Sequence, residues 1–150
     1  MKNLVNALFL LTLLCILFGC TAEQKEVVND EQIYYYDNGN VKEKWTIKNG
    51  QFEGEWASYY KNGQLEEKII YKDGKRDGAC VTYSEKGLLK EKINYKDGYL
   101  EGEYEKYYKN GQLNVKGSYK NNNLNGEWIY YNEDGTLKNK VNYKDEKKIN

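Results

Sequence analysis

Histidine and proline are absent from the chain of 150 residues, and cysteine occurs only three times. Without histidine there is no Ser–His or Cys–His pair to activate a nucleophile, and the commonest zinc ligand is missing. Basic and acidic residues balance at 23 each. That balance leaves no basic stripe for a nucleic acid partner. No glycine cluster opens onto a helix with a Lys-Ser or Lys-Thr pair, which argues against a phosphate-cradling loop. Asp73 and Asp97 recur at turns, but one aspartate per turn without further oxygen ligands reads as turn chemistry and not as calcium binding. Every glutamate has a place on a repeat surface, which leaves no carboxylate pair to assign to acid–base work. The sequence therefore names no catalytic residue, no metal ligand and no cofactor.

What is present is glycine at fixed intervals. Gly39, Gly63, Gly87, Gly111 and Gly135 follow a step of 24. A second series runs Gly50, Gly74 and Gly98, with Asn122 in the next place. A third runs Gly54, Gly78, Gly102 and Gly126. A self-similar period of this kind marks repeat architecture. Asn-Gly or Asp-Gly pairs stand at 38–39, 49–50, 62–63, 73–74, 97–98, 110–111 and 134–135. Flanked by alternating apolar residues, they predict hairpins on type I′ turns. The expected fold is all-β: an elongated antiparallel meander of 24-residue hairpin repeats in a single twisted or curled layer. Nine or ten strands of about 8–11 residues would make it up.

Two-residue loops fix a register. Lys48 then faces Gln51, Ile47 faces Phe52, Trp45 faces Gly54 and Glu43 faces Trp56. Across the next turn Tyr60 faces Leu65, Trp56 faces Ile69 and Gly54 faces Tyr71. One face carries Trp45, Ile47, Phe52, Trp56, Ile69 and Tyr71, and the other carries lysines and glutamates in pairs such as Lys44 with Glu55. The third glycine series falls between large side chains of neighbouring strands, which predicts room for a ring to lie across each glycine. Glu146 replaces the glycine due in the last unit, so the final hairpin is expected to be broken and charged, a guard against edge-to-edge pairing.

The amino end is different. Lys2 precedes an apolar run, Leu4–Phe18, too short to span a bilayer comfortably and shaped like the core of a signal peptide. It is expected to be a signal helix, residues 1–19. The run ends in Leu17-Phe18-Gly19-Cys20, which resembles a bacterial lipobox, with Cys20 as the lipidated new amino terminus. Residues 20–33 then read as the lipidated cysteine and a polar tether, and 34–150 as a domain of about four and a half repeats. After processing, Cys80 would be the one thiol left, so the domain relies on sheet pairing and apolar burial. Cys80 itself reads as a small buried hydrophobe.

The unit Tyr-Tyr-Lys-Asn-Gly-Gln-Leu…Tyr-Lys-Asp-Gly-Lys…Gly, seen at 59–82 and 107–128 and less closely at 35–58 and 83–106, resembles the bacterial variant of the MORN repeat. The resemblance implies a scaffold without catalytic residues, associated with proteins or phospholipids. It also implies an antitoxin label, which sits awkwardly with secretion.

These readings set the functional expectation. The chain is a non-enzymatic lipid-anchored scaffold that binds a protein at the bacterial cell envelope, at the outer membrane if the host is Gram-negative. An antitoxin or immunity-like protein with a cognate toxin is one alternative; a binder of peptidoglycan, other glycan or phospholipid surfaces is another. Sixteen tyrosines are too many for a small core to hide. The candidate contact residues are Tyr36, Tyr59, Tyr60, Tyr107, Tyr108 and Tyr131, from the tandem pairs that place one ring on each face. Gly39, Gly54, Gly63, Gly74, Gly78, Gly98, Gly102, Gly111, Gly126 and Gly135 are expected to be structural.

Overall fold

The computed structural model describes residues 29–144 and 147–149. The expected signal helix, Cys20 and most of the tether lie outside them. Every regular element among the described residues is a strand: β1 (Asn29–Tyr35), β2 (Val41–Lys48), β3 (Gln51–Phe52), β4 (Gly54–Tyr59), β5 (Leu65–Lys72), β6 (Lys75–Tyr83), β7 (Leu89–Lys96), β8 (Tyr99–Tyr107), β9 (Leu113–Lys120), β10 (Asn123–Tyr131), β11 (Leu137–Lys144) and β12 (Lys147–Ile149). They form one antiparallel sheet in sequence order, with β3 as a short piece beside β2. The path ends at β1 and β12, so the sheet is open. The meander is as expected, with twelve strands where nine or ten were expected. β1 begins at Asn29, so the sheet takes in residues that their polar composition assigns to the tether. The last hairpin is not broken: β12 pairs with β11 through Lys144 and Lys147.

Two kinds of turn alternate, and only one is the kind expected. Asn49, Asp73, Asp97 and Asn121 have positive φ, as do the residues after them, which makes these two-residue type I′ loops. Lys48 accordingly faces Gln51, and Ile47 faces Phe52. The turns of the first glycine series differ. Tyr60 N–H donates to the Gln64 carbonyl and Gly63 N–H to the Tyr60 carbonyl. That is a type I turn closed by a glycine in the left-handed region, a three-residue loop. The extra residue moves the register by one at the turn, so Tyr59, not Tyr60, faces Leu65, and a bulge between Ser58 and Tyr59 restores the expected register beyond it. The same Tyr-to-Leu pairing recurs at Tyr83–Leu89, Tyr107–Leu113 and Tyr131–Leu137.

The third glycine series also has another cause than the one expected. Gly54, Gly78 and Gly102 do face Tyr71, Tyr95 and Tyr119 on the following strand. On the preceding strand the ladder slips by two. Ile69 pairs with Cys80 and Tyr71 with Arg76, so Asp77, Gly78 and Ala79 together oppose Ile70. Asn94 is opposed in the same way by three residues around Gly102. These are β-bulges, and their glycines are there for positive φ, +129° at Gly78 and +91° at Gly102, and not for a ring. A Cβ on Gly102 would meet only Asn94, and one on Gly54 nothing within 4 Å. The slip explains why Glu43 faces Ser58 and not Trp56. A slip of two leaves every side chain on its own face, so the expected division of faces survives.

The core is thin because a single layer has nothing behind it. Among the described residues six hydrophobic side chains are buried: Ala57, Ile69, Cys80, Val115, Trp128 and Val141. Stability is therefore spread along the strand pairings, each repeat resting on its neighbours.

Candidate functional site

The apolar face carries two aromatic groups. In the first, Tyr34 stacks on Trp45 with ring centres 5.0 Å apart, and Phe52 bridges Trp45 and Tyr71. In the second, Trp128 lies within 5.4 Å of Tyr104, 5.2 Å of Tyr119 and 6.4 Å of Tyr143. Between them sit smaller groups and charges. Arg76 stands at the repeat position of Phe52, its guanidinium 5.2 Å from the Tyr95 ring centre and hydrogen-bonded to the Tyr95 hydroxyl. Glu67 accepts from the Cys80 thiol and Glu91 from the Tyr104 hydroxyl at 2.6 Å.

These environments hold protons on. Burial pushes the Cys80 thiol up to about 12, and the Glu67 carboxylate beside it adds to the shift. Cys80 is buried, as its repeat position implies, and the thiolate that a nucleophile needs is suppressed. Burial likewise raises the Tyr104 phenol, with its bond to Glu91 second. Burial pushes the Tyr107 phenol up to about 12, helped by its donation to Glu105. No group of three or more metal-ligating side chains occurs among the described residues.

The opposite face is a lattice of ion pairs. Glu55 sits between Lys44 at 3.9 Å and Lys68 at 3.2 Å; Lys92 reaches Glu103 and Lys140 reaches Glu127 at 2.9 Å. The Lys44–Glu55 pair is the one expected from the register. Exposed pairs of this kind contribute little each, well under about 1 kcal/mol.

The six candidate tyrosines gather along one rim of the sheet, and all are half-buried. Tyr36, Tyr60 and Tyr108 have an internal task. Their hydroxyls donate to the carbonyls of Tyr59, Tyr83 and Tyr131, each one repeat further on, at 2.7–2.8 Å. The turn asparagines beside them do the same: Asn38, Asn62 and Asn110 donate to the carbonyls of Lys61, Glu85 and Glu133. Their Oδ1 atoms meanwhile cap the amides of Asn40, Gln64 and Gln112 within the turn. One asparagine thus closes its own turn and stitches the next. Tyr59 lies beneath the Lys44 ammonium, 5.9 Å from its ring centre, and Tyr107 bonds Glu105. Two members of the same 24-residue series, Tyr35 and Tyr83, were not among the candidates, although their spacing marks them. Tyr35 is 59% exposed, more than any other large hydrophobic residue described.

A single-layer sheet built of stacked hairpins, stitched turn to turn and carrying its aromatics half in water, defines a β-repeat scaffold. The MORN repeat variant model matches residues 31–49, 52–73, 76–97, 100–121 and 124–145, and the chain belongs to that family. MORN repeats are generally protein- and membrane-interaction repeats, and the family is a non-catalytic scaffold. No curated protein matches the chain.

Proposed function

We propose that this chain is a non-enzymatic, lipid-anchored scaffold that mediates protein–protein interaction at the bacterial cell envelope. The observation that carries the reading is the poorly covered aromatic surface. Among the described residues only six hydrophobic side chains are buried, while the adjacent Tyr34 and Tyr35 stay at least half exposed. Exposed apolar patches of this kind on folded proteins mark contact surfaces. Tyrosine suits such contacts, since it gives a large rigid ring and a polar tip at small entropic cost. The contact rings are Tyr59, Tyr107 and Tyr131 with Tyr35 and Tyr83, while Tyr36, Tyr60 and Tyr108 set the spacing between them. The anchor rests on Cys20, placed where the apolar run gives way to polar sequence.

Fractionation of cells expressing the full chain and its Cys20→Ser variant tests the anchor. The full chain sediments with membranes and is released by detergent; the variant leaves the membrane fraction. Equal membrane attachment of the two removes the lipid anchor from the account.

A further inference from the structure

The two edges of the sheet match each other. β1 contains Glu31-Gln32-Ile33-Tyr34-Tyr35, and β10 contains Glu127-Trp128-Ile129-Tyr130-Tyr131, four repeats on. In β10 this segment is covered by β9: Ile129 pairs with Lys116 and Tyr130 with Val115. In β1 the same tripeptide has no strand before it among the described residues, and Ile33, Tyr34 and Tyr35 are 39%, 50% and 59% exposed. At the other end, β12 pairs only with Asn142, Tyr143 and Lys144. The outer edge of Leu137–Val141 has no partner among the described residues. Moved on by 24, the β9–β10 ladder reproduces the observed β11–β12 pairs and then calls for an Ile-Tyr pair opposite Lys140 and Asn139. β1 carries that pair.

We propose that copies of this chain associate head to tail, with β1 of one copy continuing, beside β11 of another, the strand that β12 begins; Asn29 of β1 takes the repeat position of Ile149, so the exposed end of β12 gives way there. Ile33 then faces Lys140 of the other copy, and Tyr34 faces its Asn139. The joint falls where β6, β8 and β10 have their glycine bulges, so no regular ladder is lost there. Charge supports the match. β1 has Asp30 and Glu31 and no base, while β11 and β12 carry five lysines and no acid. Glu31 takes the place of Glu55, which inside the sheet lies between two lysines of neighbouring strands. Its two would be Lys44 of its own copy and Lys140 of the next. Because the surfaces are heterologous, the contact repeats instead of closing on a pair, and it adds the main-chain hydrogen bonds of strand addition.

Two tagged forms of the full chain, Tyr34→Cys and Asn139→Cys, are expressed together and apart, and membranes are oxidised. A disulfide-linked dimer is expected only when both forms are present, above the level of the unsubstituted chain. Adding Glu31→Lys to the first form cuts the yield several-fold, and adding Lys140→Glu to the second restores it. No adduct from the mixture overturns the proposal. So do equal adducts from either form alone, which would mean a symmetric or random contact.

Discussion

The indole of Trp128 covers the place where a Cβ on Gly117 would stand. Gly117 belongs to none of the three glycine series, and its repeat equivalents are Trp45, Ile69, Ile93 and Val141. Among the described glycines it is the one with a ring across it, and it lets Trp128 pack among Tyr104, Tyr119 and Tyr143. The indole N–H also donates to the Ser118 carbonyl at 3.2 Å. Gly117→Ala should therefore destabilise the protein by about 1–3 kcal/mol, the usual cost of overpacking. Urea titration checks this, and Gly117→Ala combined with Trp128→Leu should lose less than the sum of the two single changes. An unshifted midpoint for Gly117→Ala would remove the ring-over-glycine account.

The bulge glycines make a graded prediction. Gly54→Ala places a side chain at φ +77° in open space, so backbone strain of about 1–2 kcal/mol is the whole effect. Gly78→Ala adds a contact of 3.1 Å with the Ile70 Cβ. It should be the worse of the two in thermal melts. Equal losses would mean that the strand gives way around Ile70.

Of the four turns that have a like turn after them, one lacks its stitches. Ser84 stands where Tyr36, Tyr60 and Tyr108 stand, and Lys86 where the turn asparagines stand. Tyr60→Phe, which removes the donor to the Tyr83 carbonyl, should cost about 0.5–1.5 kcal/mol. Ser84→Tyr with Lys86→Asn should raise the melting temperature by supplying the missing bonds to the next turn. A lower melting temperature for that double variant would show that the stitches are not transferable.

Much of this was legible in the sequence. The period, the alternation of faces, the Gly54–Tyr71 and Trp56–Ile69 pairings and the burial of Cys80 all follow from spacing. The misread turns have one origin. An Asn-Gly pair serves a two-residue type I′ loop or, one residue longer, a type I turn closed by glycine, and the dipeptide is the same in both. The bulges escaped for a similar reason: a slip of two keeps each face intact, so the apolar pattern carries no trace of it. Gly117 escaped because it stands outside every series, yet a lone glycine at a position otherwise held by Trp, Ile and Val was the available signal.

Stability should fall at high pH. The Cys80 thiol goes from an ordinary 9.0 to about 12 on folding. Between those values the unfolded chain has lost the proton that the folded one keeps, so the thiol's contribution is full below pH 9 and lost as pH rises towards 12. The Tyr104 and Tyr107 phenols act in the same direction. Cys80→Val should make the decline above pH 9 shallower without abolishing it. An unchanged slope would mean that Cys80 is no more sheltered than in the unfolded chain.

The most direct test of the scaffold reading is a cross-linked capture from envelope membranes, with the intact chain compared against Tyr59→Ala/Tyr107→Ala/Tyr131→Ala and the bound material identified by mass spectrometry. The account predicts a dominant protein held by the intact chain and lost from the triple variant, with both retaining their sheet signal in circular dichroism. Peptidoglycan or lipid in place of protein, or the same protein held equally by both, would contradict it.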